Sequence, residues 1–148
     1  MAVVAENGYN PQPAVDTFLS RSRNVPVEAF SPHLYHHRDE AAIQHVFRVA
    51  ASLDSMVVGE PQILGQLKQA YALAKAHGAL AGNLDAILTR AFAVAKRVRS
   101  ETGIGESAVS VSYAAVELAR DIFGSLADKK VMLVGAGKMS ELAARHLH

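Results

Sequence analysis

From Asp39 to Val98 the apolar residues recur every three or four positions, which commits most of this chain to amphipathic helices packed on one another. Asp39 and Glu40 open the first, where the helix dipole favours negative charge, and Ile43, Val46, Phe47, Ala50 and Leu53 form its inward stripe. Pro61 suits the first turn of the second. Its buried face is Ile63, Leu67, Ala70 and Ala74, and Gly78 stops it. Asn83 caps a third, with Leu84, Leu88, Ala91, Ala95 and Val98 inward and Gly103 closing it. The pattern predicts a fourth helix over Ser107–Phe123, although Val109 to Ser112 alternates like a strand.

The flanks read differently. Met1–Ala5 is a short apolar strand stopped by Asn7-Gly8, and Pro11 and Pro13 lead into a short helix, Ala14–Ser20. Asn24–Pro32 is a loop with a brief extended piece at Val25–Phe30, and Leu34–His36 reads as a strand end. After Asp128–Lys130, the apolar run Val131–Val134 predicts a buried parallel strand, Gly135-Ala136-Gly137 a turn, and Met139–Leu147 a helix. The fold class expected is α/β and helix-rich: a partial α+β domain over residues 1–105, then a linker helix and the first βα unit of a Rossmann-type domain over 106–148.

Composition narrows the chemistry. The 148 residues are 50% hydrophobic and 20% charged, enough for a globular core. A formal net charge of +1 gives no bulk attraction to nucleic acid or an anionic membrane. The absence of cysteine excludes disulfides, thiolate metal sites and cysteine nucleophiles within these residues, and fits a reducing cytoplasm. No apolar run approaches the roughly 20 residues of a membrane span. Glu6, Asn7 and Gly8 follow too few apolar residues for a signal peptide, so the expected location is cytoplasmic.

Two stretches carry polar groups that a plain core would not. Around the first helix junction, Ser55, Glu60, Gln62 and Gln66 interrupt apolar sequence, a pattern able to hold a small polar ligand from several directions. Each has a plain alternative: Ser55 can cap a turn, Glu60 can serve the dipole of the helix begun by Pro61, and Gln62 and Gln66, one turn apart, can face water. His45, on the helix before them, can be structural or catalytic. The second stretch, Gly135-Ala136-Gly137-Lys138-Met139-Ser140, follows a predicted strand and opens a helix, as a pyrophosphate-binding turn does. Ser140 stands where the full fingerprint wants Gly or Ala, and an ordinary βα turn remains the alternative.

The run His45–Lys68, with Arg97–Gly105, Ser107–Ser112 and Leu133–Met139 following in order, resembles the glutamyl-tRNA reductase family over essentially the whole chain. The resemblance implies an NADPH-dependent reduction of the glutamyl ester on charged tRNA to glutamate-1-semialdehyde, which opens the five-carbon route to tetrapyrroles and porphyrins. A cysteine thiolate forms a thioester, tRNA leaves, and hydride reduces the acyl group. By that resemblance His45 is the activity-important histidine near the reacting carbonyl, and Ser55, Glu60, Pro61, Gln62 and Gln66 hold the glutamyl moiety. Glu60 is the partner for its ammonium group. Gly135, Ala136, Gly137, Lys138, Met139 and Ser140 form the NADPH-binding turn.

The family's nucleophile lies in a Thr-Cys-Asn-Arg motif that precedes a segment resembling Met1–Glu6, and this sequence has no such motif. The rest of the nucleotide domain and a C-terminal helical domain, through which members form homodimers, are likewise not matched. The expectation is an internal piece of such an enzyme, without reductase activity alone.

Weaker constellations complete the reading. His33, His36 and His37 invite a metal, but without a spaced carboxylate or cysteine set a solvated loop is preferred and no metal is expected. Arg90, Lys96, Arg97 and Arg99 give the third helix a basic character that either meets tRNA phosphates or faces water. Tyr71 and Tyr113 read as packing residues with a polar tip. Competing readings are a non-catalytic helical module that binds tRNA or a protein, and an unrelated nicotinamide dehydrogenase. The latter leaves Ser55 to Gln66 unexplained.

Overall fold

The computed structural model describes residues 1–5, 8–80, 82–104 and 111–147. Its centre is a three-helix core of α3 (Asp39–Ala50), α4 (Pro61–Ala76) and α5 (Gly82–Glu101), which all pack on one another. Ala50, Ala51, Leu64, Ala91 and Ala95 form its central buried cluster, wrapped by Val46, Phe47, Leu67, Phe92 and Val98, and Leu88 is buried as well. Alanines at the crossing points leave room for backbones to come close, and the larger side chains fill the margins.

Helix ends follow local chemistry. Glu60 is the N-cap of α4, its carboxylate accepting from the Gln62 amide, with Pro61 in the first turn. At the other end Gly78 (φ 66) turns the chain left-handed, Gly78 N–H donates to the Lys75 carbonyl and Ala79 N–H to Ala74. That pair of bonds is a Schellman closure.

Before the core, α1 (Gln12–Arg23) ends at left-handed Asn24 (φ 52), and α2 (Val27–Phe30) runs into a 3-10 turn at Ser31–His33. Of the extended piece expected at Val25–Phe30, Val27–Phe30 is helical instead: Pro26 sits at the N-cap in extended backbone and starts a helical turn. After the core, α6 (Val111–Phe123) packs against α7 (Lys138–Leu147), and Gly124 (φ 70) stops α6. The start of the fourth helix expected at Ser107 falls at residues 107–110, outside the described residues. Asn7, Gly105 and the side chain of Lys138 are outside them too.

No strand forms among the described residues, which corrects the expectations at Met1–Ala5, Leu34–His36 and Val131–Val134. A strand exists through its ladder, and none of these segments has a partner strand beside it among the described residues. The apolar run 131–134 lies exposed, with Met132 and Val134 each 84% accessible. The helix-rich part of the expected architecture stands; the expected βα unit does not form among the described residues, where an irregular apolar segment and a glycine turn lead into a helix.

Candidate functional site

The α3–α4 junction is a closed turn rather than a loose loop. Ser52, at φ 59 and 1% exposed, donates its hydroxyl to the Glu60 carbonyl at 2.8 Å, and Gly59 N–H returns a bond to the Ser52 carbonyl at 2.8 Å. Inside that ring, the Ser55 hydroxyl reaches the carbonyls of Val57 and Ser52. Arg99, reaching over from α5, donates to the Gly59 carbonyl at 3.2 Å.

Glu60 is 7% exposed and both carboxylate oxygens are engaged. Oε1 accepts from Gln62 N–H at 3.3 Å and Oε2 from Val111 N–H at 3.1 Å. One anion thus sits on the first turns of two helices, α4 and α6, where both dipoles favour negative charge. Gln62 donates to the Met139 sulfur at 3.3 Å, and the Ser112 hydroxyl to the Met139 carbonyl at 2.8 Å. These bonds hold the start of the glycine-turn helix against the starts of α4 and α6. Gln66 is exposed one turn further along α4.

His45 occupies a second centre. Its Nε2 lies 3.1 Å from the Tyr35 hydroxyl and its Nδ1 3.8 Å from Asp54, whose other oxygen is 3.5 Å from Arg48. His37 packs against the same imidazole at 4.6 Å between ring centres, its ring tilted by 36°. The ring opens into a groove of about 670 Å³ lined by Met1–Ala5, Tyr35, His37, Ile43, Asn83 and Ile87 among others. Ser55, Glu60, Gln62 and Gln66 do not line it. Asp54 and Ser55, adjacent in one turn, are the covalent link between the two centres.

At the third centre Gly135 has φ 107, a conformation suited to glycine, and a side chain there would point at the Ser140 hydroxyl, 3.7 Å from the added carbon. A side chain on Gly137 would meet nothing within 4 Å. Gly135, Ala136 and Gly137 are exposed and lead directly into α7, whose first amides have no partner within the helix. This arrangement fits a phosphate group at a helix N-terminus.

Other candidates resolve into structure. His36 pairs with Gln12 at 3.1 Å, and among the described residues no three His, Cys, Asp or Glu gather as a metal site. On α5, Arg97 is bound to Glu101 through two bonds and Arg99 to Gly59, while Arg90 and Lys96 are exposed. Tyr71 packs edge-on to Phe92 and donates to Asp85 at 2.6 Å, and Lys75 donates to both. No described helix is long and apolar enough to cross a membrane.

Residues 2–102 match the family model "Glutamyl-tRNAGlu reductase, N-terminal domain". The chain belongs to this family. A second model, "Shikimate / quinate 5-dehydrogenase", matches residues 117–148, which contain the glycine turn and α7. A glutamyl-tRNA reductase of Solibacter usitatus is 67% identical over 147 residues, covering 99% of this chain and 35% of that protein. One from Geobacter sulfurreducens is 66% identical over 129 residues, covering 87% and 30%. A "Glutamyl-tRNA reductase 2" of Koribacter versatilis is 60% identical over 129 residues. The chain spans about a third of the length of these glutamyl-tRNA reductase relatives.

Tyr35 and Asp54 border the candidate site without having been singled out from the sequence, and Arg99, read there only as one of a basic set, also touches it. Asp54 had one available signal: it stands nine residues after His45, just beyond the end of the same helix. Tyr35 and Arg99 had none, because their roles come from tertiary contact.

Proposed function

We propose that residues 1–105 are the substrate-side part of a glutamyl-tRNA reductase and 106–148 its linker helix and the start of its Rossmann-type nucleotide domain. The whole enzyme reduces the glutamyl ester of charged tRNA to glutamate-1-semialdehyde in the cytoplasm, at the head of tetrapyrrole and porphyrin biosynthesis. The observation that carries this reading is 67% identity to a glutamyl-tRNA reductase across 147 residues, spanning both the polar junction and the glycine turn. Full-length members pair as homodimers through a C-terminal domain outside these residues.

In this reading Ser55, Pro61, Gln62 and Gln66 shape and line the wall that receives the glutamyl group. Glu60 has lone pairs left beyond its two amide bonds and is the partner of the substrate ammonium, which has to displace the neighbours that bury this carboxylate to 7% exposure. His45 holds or moves a proton at the reacting carbonyl. The thiolate nucleophile comes from outside these 148 residues, which contain no cysteine. NADPH, when bound, supplies the hydride. The chain's own contribution to that group is the backbone of Gly135–Ser140 and the N-terminal amides of α7, which orient a pyrophosphate.

Calorimetric titration with a glutamyl ester analogue tests the reading. The purified chain is expected to bind it, and Ser55→Ala or Gln66→Ala to weaken binding about tenfold, as loss of a hydrogen bond to a polar ligand does. Binding of tRNA that falls steeply with salt, together with no response to the analogue, would replace this reading with the helical interaction module. Aldehyde formation from glutamyl-tRNA and NADPH by the purified chain alone would overturn the assignment of the nucleophile to another segment.

A further inference from the structure

The groups around the His45 ring come from outside α3: Tyr35 and His37 from the segment before it, Asp54 from the turn after it. A neutral imidazole has one donor and one acceptor nitrogen, and its two neighbours here are unequal. A tyrosine hydroxyl can donate or accept. A carboxylate only accepts. If His45 carried its proton on Nε2, the bare Nδ1 lone pair would face the Asp54 carboxylate at 3.8 Å, two acceptors against each other. With the proton on Nδ1, that N–H faces the carboxylate and the Tyr35 hydroxyl donates to Nε2 at 3.1 Å.

We propose that Tyr35 and Asp54 are positioning residues that hold neutral His45 as the Nδ1–H tautomer, with its Nε2 lone pair capped by the Tyr35 hydroxyl. Arg48, 3.5 Å from the far oxygen of Asp54, fixes the carboxylate, and the tilted His37 ring packed 4.6 Å away limits how far the imidazole can turn. Tyr35 is 67% exposed, so its hydroxyl can swing away when another proton-bearing group arrives at Nε2. The functional consequence rests on the reading of His45 as the proton-handling residue: Tyr35 marks the place such a group occupies. It also links the two centres, because Asp54 orients the histidine from the turn in which Ser55 belongs to the glutamyl wall.

The tautomer is read directly from the nitrogen chemical shifts of His45 in the purified, isotope-labelled chain, at a pH where imidazoles are neutral. An unconstrained imidazole in water favours Nε2–H, so a dominant Nδ1–H form is the expected and diagnostic result. Asp54→Ala is expected to shift the population back toward Nε2–H. Tyr35→Phe, on an exposed side chain, leaves the fold intact and should speed acylation of His45 by an imidazole-selective reagent about fivefold, the worth of one hydrogen bond. His36 on the surface serves as the internal control for that rate. A dominant Nε2–H form in the unmodified chain would overturn the proposal. So would an unchanged acylation rate in Tyr35→Phe, which keeps the question decidable even if Asp54→Ala fails to fold. Loss of analogue binding, by contrast, bears on the functional reading and leaves the tautomer result untouched.

Discussion

Ser52 holds a left-handed backbone at φ 59 in a fully enclosed position, where glycine would be less strained, and its hydroxyl bond to Glu60 explains why serine is tolerated there. Two substitutions separate strain from bonding. Ser52→Ala keeps the strain and leaves the Glu60 carbonyl without its partner, so it should cost about 1–2 kcal/mol in urea unfolding. Ser52→Gly loses the same bond but relaxes the backbone, and should fall between Ala and the unmodified chain. Glycine proving the least stable of the three would show that the strain is negligible. Residue types told only part of this in the sequence. Ser55, Glu60 and Gln62 stood out because polar groups interrupt an apolar pattern, whereas Ser52 looked like one more residue of a helix continuing to Leu53. The helix stops at Ala50 because the turn closes on Glu60, a contact that periodicity does not encode.

Among elements, the helices of the core were legible and their exact inward faces less so. Leu88, Ala91 and Ala95 are buried on α5 as the spacing required, but on α4 the buried residue is Leu64, next to the expected Ile63. Neighbouring positions on a helix both border an apolar stripe, and packing against α3 and α5 chooses between them. The contact that joins α4 to α5 at their far ends is polar. Asp85 is held below the usual carboxylate range, first by its bond from Tyr71 and then by the bond from Lys75, while Lys75 is raised by its bond to Tyr71 and then by Asp85. The signs give a window. A lowered Asp85 contributes stability above the ordinary carboxylate value that disappears as pH falls through its folded value. A raised Lys75 contributes stability below the ordinary ammonium value that disappears as pH rises through its folded value. Unfolding midpoints of the unmodified chain and Asp85→Asn should therefore differ near neutral pH and converge toward acid. A constant gap across the acid range would mean that the carboxylate charge is not what joins the helices. Both groups are exposed, so the difference should be small.

At the scale of the molecule, α1 and α2 pack together ahead of two further groups of helices, α3–α5 and α6–α7, and the described bonds between these last two are few and polar. Glu60 to Val111 and Gln62 to Met139 are the ties, and both start from the first turn of α4. The strand expected at 131–134 was legible as apolar sequence but did not form, because a strand needs a partner to ladder with and none lies beside this run among the described residues. That leaves α6 and α7 with less buried apolar surface than the core, since Leu118, Ile122 and Phe123 are all more than half exposed. Local stability follows buried contact, so amides of α6 should exchange with solvent at a lower free energy of opening than those around Ala91 and Ala95. Glu60→Ala removes the shared cap of α4 and α6, worth about 1 kcal/mol at each such helix start. It is expected to speed exchange in α6 further while leaving the middle of α5 almost unchanged. Equal acceleration in α5 and α6 would show instead that the two groups open as one, with Glu60 serving the core rather than joining the α3–α4 junction to the start of α6.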